Sequence, residues 1–129
     1  MCCAVAQRNL EIVAEENLSE NADAVGAYLR ARLGEKLHGL DTVGEVRGLG
    51  LLNGVELIED SETKTPLSDA KMAAVVAHCL QESGVFIGRT SFTVPGHGNV
   101  LIVAPPLIAT EDDAEVLVDA IAAAVEEAA

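Results

Sequence analysis

His78 and Cys79 stand side by side, the one place in the chain where an imidazole adjoins a thiol. A cysteine nucleophile needs a base within hydrogen-bond reach, and a zinc site needs further ligand pairs at set spacing. No second pair occurs, and Cys79 shares helical spacing with Met72, Val75 and Val76, so packing is the expected role. Glu111, Asp112 and Asp113 form a run of carboxylates, but directly after Thr110 they read as charges at the positive end of a helix, not as an acid/base pair. Gly48-Leu49-Gly50 with Gly54 departs from the Gly-x-Gly-x-x-Gly spacing, and a strand-like stretch follows where a nucleotide site needs a helix start. Those glycines suit a bend and close backbone packing. Arg47 lies between apolar strand residues, where a structural pairing is expected, with Glu56 one candidate and loop carbonyls another. His38 and His97 are isolated. No metal-ligand set and no catalytic set emerges.

The elements that position these groups follow from periodicity. Leu10, Val13 and Ala14 share one face of a first helix, which Asn17-Leu18-Ser19 interrupts. Ser19 or Asn21 is then a candidate cap for a second helix carrying Ala22, Val25, Leu29 and Leu33, with Gly39 suited to its end. Residues 43–58 mix β-branched and apolar residues with glycines, predicting two short strands or one strand with a bulge. A polar loop runs from Glu59 to Pro66. Ser68 is placed to cap a third helix with an apolar face of Met72, Val75, Val76, Cys79 and Leu80, closed by Gly84. Val85-Phe86-Ile87 reads as a short strand, Arg89–Asn99 as a loop, and Val100–Val103 as a buried strand stopped by Pro105-Pro106. Thr110 then caps a last helix with a stripe of Ala114, Leu117, Val118, Ile121 and Val125. The expected fold is one α/β (α+β) domain over residues 1–129, a small mixed sheet packed with helices.

Composition narrows the class. With 129 residues the chain suits one domain. Tyr28, Phe86 and Phe92 are its only aromatics, so the core must be aliphatic. A net charge of −13 repels phosphate backbones and anionic membranes, which argues against nucleic-acid and membrane partners. Three cysteines at Cys2, Cys3 and Cys79 make no disulfide framework and point to a reducing cytoplasm. No apolar run approaches the ~20 residues of a membrane span.

Three stretches together resemble one family: Cys3–Ile12 continuing through Glu16-Asn17-Leu18, Val46-Arg47-Gly48-Leu49-Gly50-Leu51-Leu52-Asn53-Gly54-Val55-Glu56-Leu57, and Val100–Thr110 with its Ala104-Pro105-Pro106. Their order and spacing are similar to the last third of class III aminotransferases, such as ornithine, 4-aminobutyrate and other ω-amino-acid transaminases. The resemblance implies the C-terminal small domain of a fold-type-I enzyme that moves an amino group between an amino acid or amine and a 2-oxo acid. It implies pyridoxal phosphate bound as a Schiff base to a large-domain lysine, and usually a homodimer or a dimer of dimers. It also implies that residues 1–38 lead in from that large domain. Lys36, Lys64 and Lys71 are the only lysines, and none lies in a setting like the family's cofactor lysine. The chain alone is therefore expected to be inactive and to bind no cofactor, and it resembles a truncated or split gene product or a mis-called start.

The same resemblance singles out Arg89. Some relatives carry, near this place, an arginine that grips a substrate carboxylate through paired hydrogen bonds. Others place it two residues before Ala-Pro-Pro, where this chain has Ile102, and a solvated loop arginine is the plain reading. His97 falls in the loop that the family sets near the substrate entrance, where it would meet substrate or the neighbouring subunit. Two other readings stay open: a non-catalytic remnant, and an unrelated free-standing α/β binding domain with a sealed core. The family reading predicts instead that the first helix and the sheet edge near Pro105 expose apolar surface.

Overall fold

A computed structural model describes residues 2–90 and 94–128. Phe92 lies outside the described residues. Helix α1 spans Cys2–Glu15 and α2 spans Leu18–Lys36, with Asn17 between them at φ 50°. Ser19 and Asn21 do not cap α2. Both lie within its first turn, and Asn17 holds the cap position without a side-chain bond. Asn21 instead donates to the carbonyls of Leu107 at 2.7 Å and Ala109 at 3.0 Å, tying α2 to the segment before the last helix. Helix α1 has no buried residue at all.

The glycine-rich stretch forms two strands, β1 (Val43–Leu49) and β2 (Leu52–Asp60), paired antiparallel around a two-residue turn with a register shift between Val43 and Glu45. The turn packs on α2 through a backbone approach that only glycine permits. A Cβ on Gly26 would lie 1.9 Å from the Gly50 carbonyl oxygen. Arg30 donates to that oxygen at 2.9 Å and to Asn53 Oδ1 at 3.2 Å, and the buried Asn53 donates back to Gly50 at 3.1 Å.

Strand β3 (Thr65–Pro66), inside the expected loop, pairs with the end of β2. Helix α3 spans Asp69–Ser83, preceded by Ser68, whose hydroxyl makes no capping bond, and closed by Gly84 at φ 68°. The strand expected at Val85–Ile87 instead sits at Gly88–Arg89, as β4. The cause is local. The Val85 amide donates to the Cys79 carbonyl and the Gly84 amide to Leu80, so this segment closes the helix before any ladder begins. Strand β5 is Val100–Val103 and helix α4 is Glu111–Ala128. The sheet order is β1-β2-β5-β4, with β3 on β2, and every described pair is antiparallel, so the sheet is not mixed.

Helices α2, α3 and α4 cover one face of this sheet, with α4 packed against both of its helical neighbours. Leu29, Leu33, Val55, Leu57, Leu101, Val118 and Ile121 are fully enclosed between them. Each contributes about 1.5–3 kcal/mol by leaving water. Ala120, Ala122 and Ala124 let neighbouring helices approach α4 closely. Glu115 of α4 accepts from Tyr28 Oη at 2.7 Å and from Arg32 Nε at 2.6 Å. Hydrogen bonds from Arg32 first, and then Tyr28, hold its carboxyl down at about 2. Thr110 and Asp113 cap α4 reciprocally: the Thr110 amide donates to Asp113 Oδ2 at 2.9 Å, and the Asp113 amide to Thr110 Oγ1 at 3.2 Å. No described helix is long and apolar enough to cross a membrane.

Candidate functional site

The strand Val100–Val103, expected to be buried, alternates in burial. Leu101 and Val103 face the helices, and Ile102 lies partly exposed on the opposite face, as the period of two requires. Beside it opens an apolar groove of about 750 Å³. Its lining includes Phe86, Ile102, Pro105, Pro106, Ile108 and Val116. Phe86 is 84% exposed and Ile108 66%. The segments 85–87 and 104–109 form it because both lie outside the ladder: the first finishes α3, and the second is held off the sheet by two prolines. Leu80, expected on the inner face of α3, is about half exposed. Among the described residues Asp113 is the groove's only charged lining residue, and it is committed to the α4 cap.

Arg89 follows Gly88, which lines the groove, but does not itself line it. Its partner across the ladder is Leu101, so its side chain leaves on the helix-covered side and meets the start of α3. Nη1 donates to Asp69 Oδ1 at 2.7 Å and, more weakly, to the Gly98 carbonyl at 3.4 Å. The loop folds back on β4 through the Thr90 amide, which donates to Val100, and through Thr90 Oγ1, which donates to the His97 carbonyl. The exposed His97 ring reaches the Pro95 carbonyl at 3.2 Å, within its own turn. Arg89 and His97 thus share one loop, but the ring is not turned to the guanidinium.

The other singled-out residues lie elsewhere. Arg47 donates to Glu56 at 2.7 Å and to Glu45 at 2.8 Å. Glu45 and Glu56 face each other across the ladder, a repulsive placement, and Arg47 bridges them. The bond to Glu56 chiefly raises its pKa. His78 pairs with Glu127 at 2.6 Å, not with Cys79. Cys79 is buried, its Sγ lies 3.7 Å from the Ala120 carbonyl, and burial pushes its thiol up, away from reactivity. Among the described residues no group of three or more His, Cys, Asp or Glu could hold a metal. Asp69 escaped sequence reasoning because twenty residues separate it from Arg89. An acid in the first turn of a helix is ordinary.

The sequence pattern of "Aminotransferase class-III" matches residues 1–125. The chain belongs to the class III aminotransferase family. Over 116 residues it is 43% identical to an uncharacterized aminotransferase of Bacillus subtilis, covering 90% of this chain and 25% of that protein. It is 41% identical over 121 residues to a taurine–pyruvate aminotransferase of Rhodobacter capsulatus, covering 94% of this chain and 26% of the relative. The crystal structure of a Bacillus anthracis aminotransferase superposes with a TM-score of 0.93 at 40% identity, over 97% of this chain and 28% of that one. The chain thus spans about a quarter of the length of the relatives it matches. Its helices packed on a small sheet are the family's fold in this region.

Proposed function

We propose that these residues form the C-terminal small domain of a pyridoxal-phosphate-dependent aminotransferase of the ω-amino-acid type. In this reading residues 1–38 carry the chain from a large domain, and the small domain closes over a site built largely there. The observation that carries it is an apolar groove and an α1 without a buried residue in a chain that spans about a quarter of its relatives. A self-sufficient binding domain would have little reason to leave that surface bare.

The residues of this chain do not fit the cofactor. Lys36 is engaged with Asp119 at 3.0 Å, and Lys64 and Lys71 are exposed away from the groove. Among the described residues the one charged group lining the groove is an acid, which repels a phosphate. In the whole enzyme pyridoxal phosphate would therefore rest on residues outside this chain. What these residues supply is exclusion of water by the apolar rim and orientation of the substrate by the loop after β4. Arg89 takes the acid group of an amino acid or of its 2-oxo partner, and His97 meets substrate or the neighbouring subunit of a cytoplasmic homodimer.

Two measurements test this reading. The chain alone, given pyridoxal phosphate, an amine and pyruvate, should show no turnover. Exchanged for the matching segment of the Rhodobacter capsulatus enzyme, it should give a protein that binds the cofactor and transaminates. Sustained turnover by the isolated chain would contradict the proposal, as would a soluble, cofactor-loaded chimera that transfers no amino group.

A further inference from the structure

Two arginine–carboxylate pairs link separate elements on the helix side of the sheet, and they are built differently. Arg32 engages Glu115 through two nitrogens, Nε at 2.6 Å and Nη2 at 3.2 Å, and Tyr28 shares the same carboxylate. Both side chains are about one-third exposed. That is a fixed, forked pair. Arg89 reaches Asp69 through Nη1 alone, and its other nitrogens have no partner among the described residues. The arginine is 24% exposed, whereas Asp69 is 81% exposed. A carboxylate so open to water gains little from the pair. It stays stabilised when released, because it sits in the first turn of α3, where the helix dipole favours a negative charge. The partly enclosed guanidinium has no such alternative.

We propose that Asp69 is an internal counter-ion that occupies Arg89 until the acid group of a substrate, carboxylate or sulfonate, displaces it. Asp69 thereby sets how strongly the domain selects acid-bearing substrates over plain amines. This inference rests on the substrate-facing reading of Arg89 given above. Asp69 acts as a positioning residue and touches no substrate itself. Gly98 is part of the device. A Cβ there would stand 3.0 Å from the Thr90 carbonyl oxygen, 3.4 Å from Asp69 Oδ1 and 3.6 Å from Arg89 Nη1. Glycine at that point lets the loop backbone close against the pair, which stays open to water on the Asp69 side.

The test uses the whole chain, labelled with nitrogen-15. The Arg89 side-chain N–H resonance is assigned by its loss in Arg89→Lys and followed during titration with sodium methanesulfonate or sodium acetate. Sodium chloride holds ionic strength constant, and ethylammonium chloride is the control without an acid group. Asp69→Asn should bind methanesulfonate roughly fivefold more tightly than the unaltered protein. Asp69→Glu should restore weak binding, and thermal melts of all three should coincide. Equal affinities in the unaltered protein and Asp69→Asn, with Arg89 responding in both, would overturn the counter-ion role and leave the reading of Arg89 intact. A resonance that responds to methanesulfonate no more than to chloride in either protein would overturn both.

Discussion

The two faces of the sheet follow opposite rules. On the helix side Leu33, Val55, Leu101 and Ile121 are sealed from water, and the buried Asn53 is paired with Arg30 and Gly50. Ile102 on the other face is partly exposed, and Phe86, Ile108 and the α4 residue Val116 stand exposed beside it along the groove, as do Leu49 and Leu52 at the hairpin tip. Composition is alike in the two regions; what differs is closure. The first region is a finished core, and the second is apolar surface of the kind that marks contact with another body.

Substitutions should separate the two regions sharply. Leu33→Ala opens a cavity in the sealed side and should cost about 2–5 kcal/mol in chemical denaturation. Ile108→Ser in the groove should leave the denaturation midpoint nearly unchanged. A groove variant as destabilised as the core variant would erase the distinction.

Gly26→Ala comes next. Its new methyl meets the Gly50 carbonyl oxygen, so α2 and the hairpin must part, at about 1–3 kcal/mol. Equilibrium unfolding checks this, and Gly34→Ala, on the same helix with nothing within 4 Å, is the control expected to cause no loss. Thr110→Ala removes half of a reciprocal cap and should cost about 1 kcal/mol by the same assay.

Thr110 as the cap was legible in sequence because the signal is local, whereas Asp113 read only as a helix-start charge and not as its reciprocal partner. Gly84 as a helix stop was equally local. Ser19 and Asn21 misled because good capping residues were available, while the break was set by Asn17 and Asn21 was claimed by carbonyls 86 and 88 residues away. Val85–Ile87 has strand-like residues, but helix closure claimed its first amide. The exposed sheet edge near Pro105 followed from the family resemblance, and Pro105 and Pro106 do line the groove. Of the candidate site, Arg89 and the loop were visible. Asp69 was not, because nothing local marks a partner so distant in sequence.

The smallest expected effect concerns pH. Glu115 titrates at about 2 in the fold, below the usual glutamate value of 4.5, chiefly through Arg32. A depressed carboxyl pKa stabilises the fold above its unfolded value, and that contribution fades as pH falls from about 4.5 toward 2. Glu115→Gln should flatten this part of the stability-versus-pH curve. A curve with unchanged slope would show that the α2–α4 link carries no acid sensitivity.

The central claim is that the groove is contact surface and not an unfinished core, and binding of a dye that fluoresces on apolar surface tests it most directly. The folded chain should bind the dye at neutral pH, and the double variant Phe86→Ser with Ile108→Ser should lose most of that signal while melting at the same temperature. A chain that binds no dye, or a double variant that melts as low as Leu33→Ala, would contradict the account.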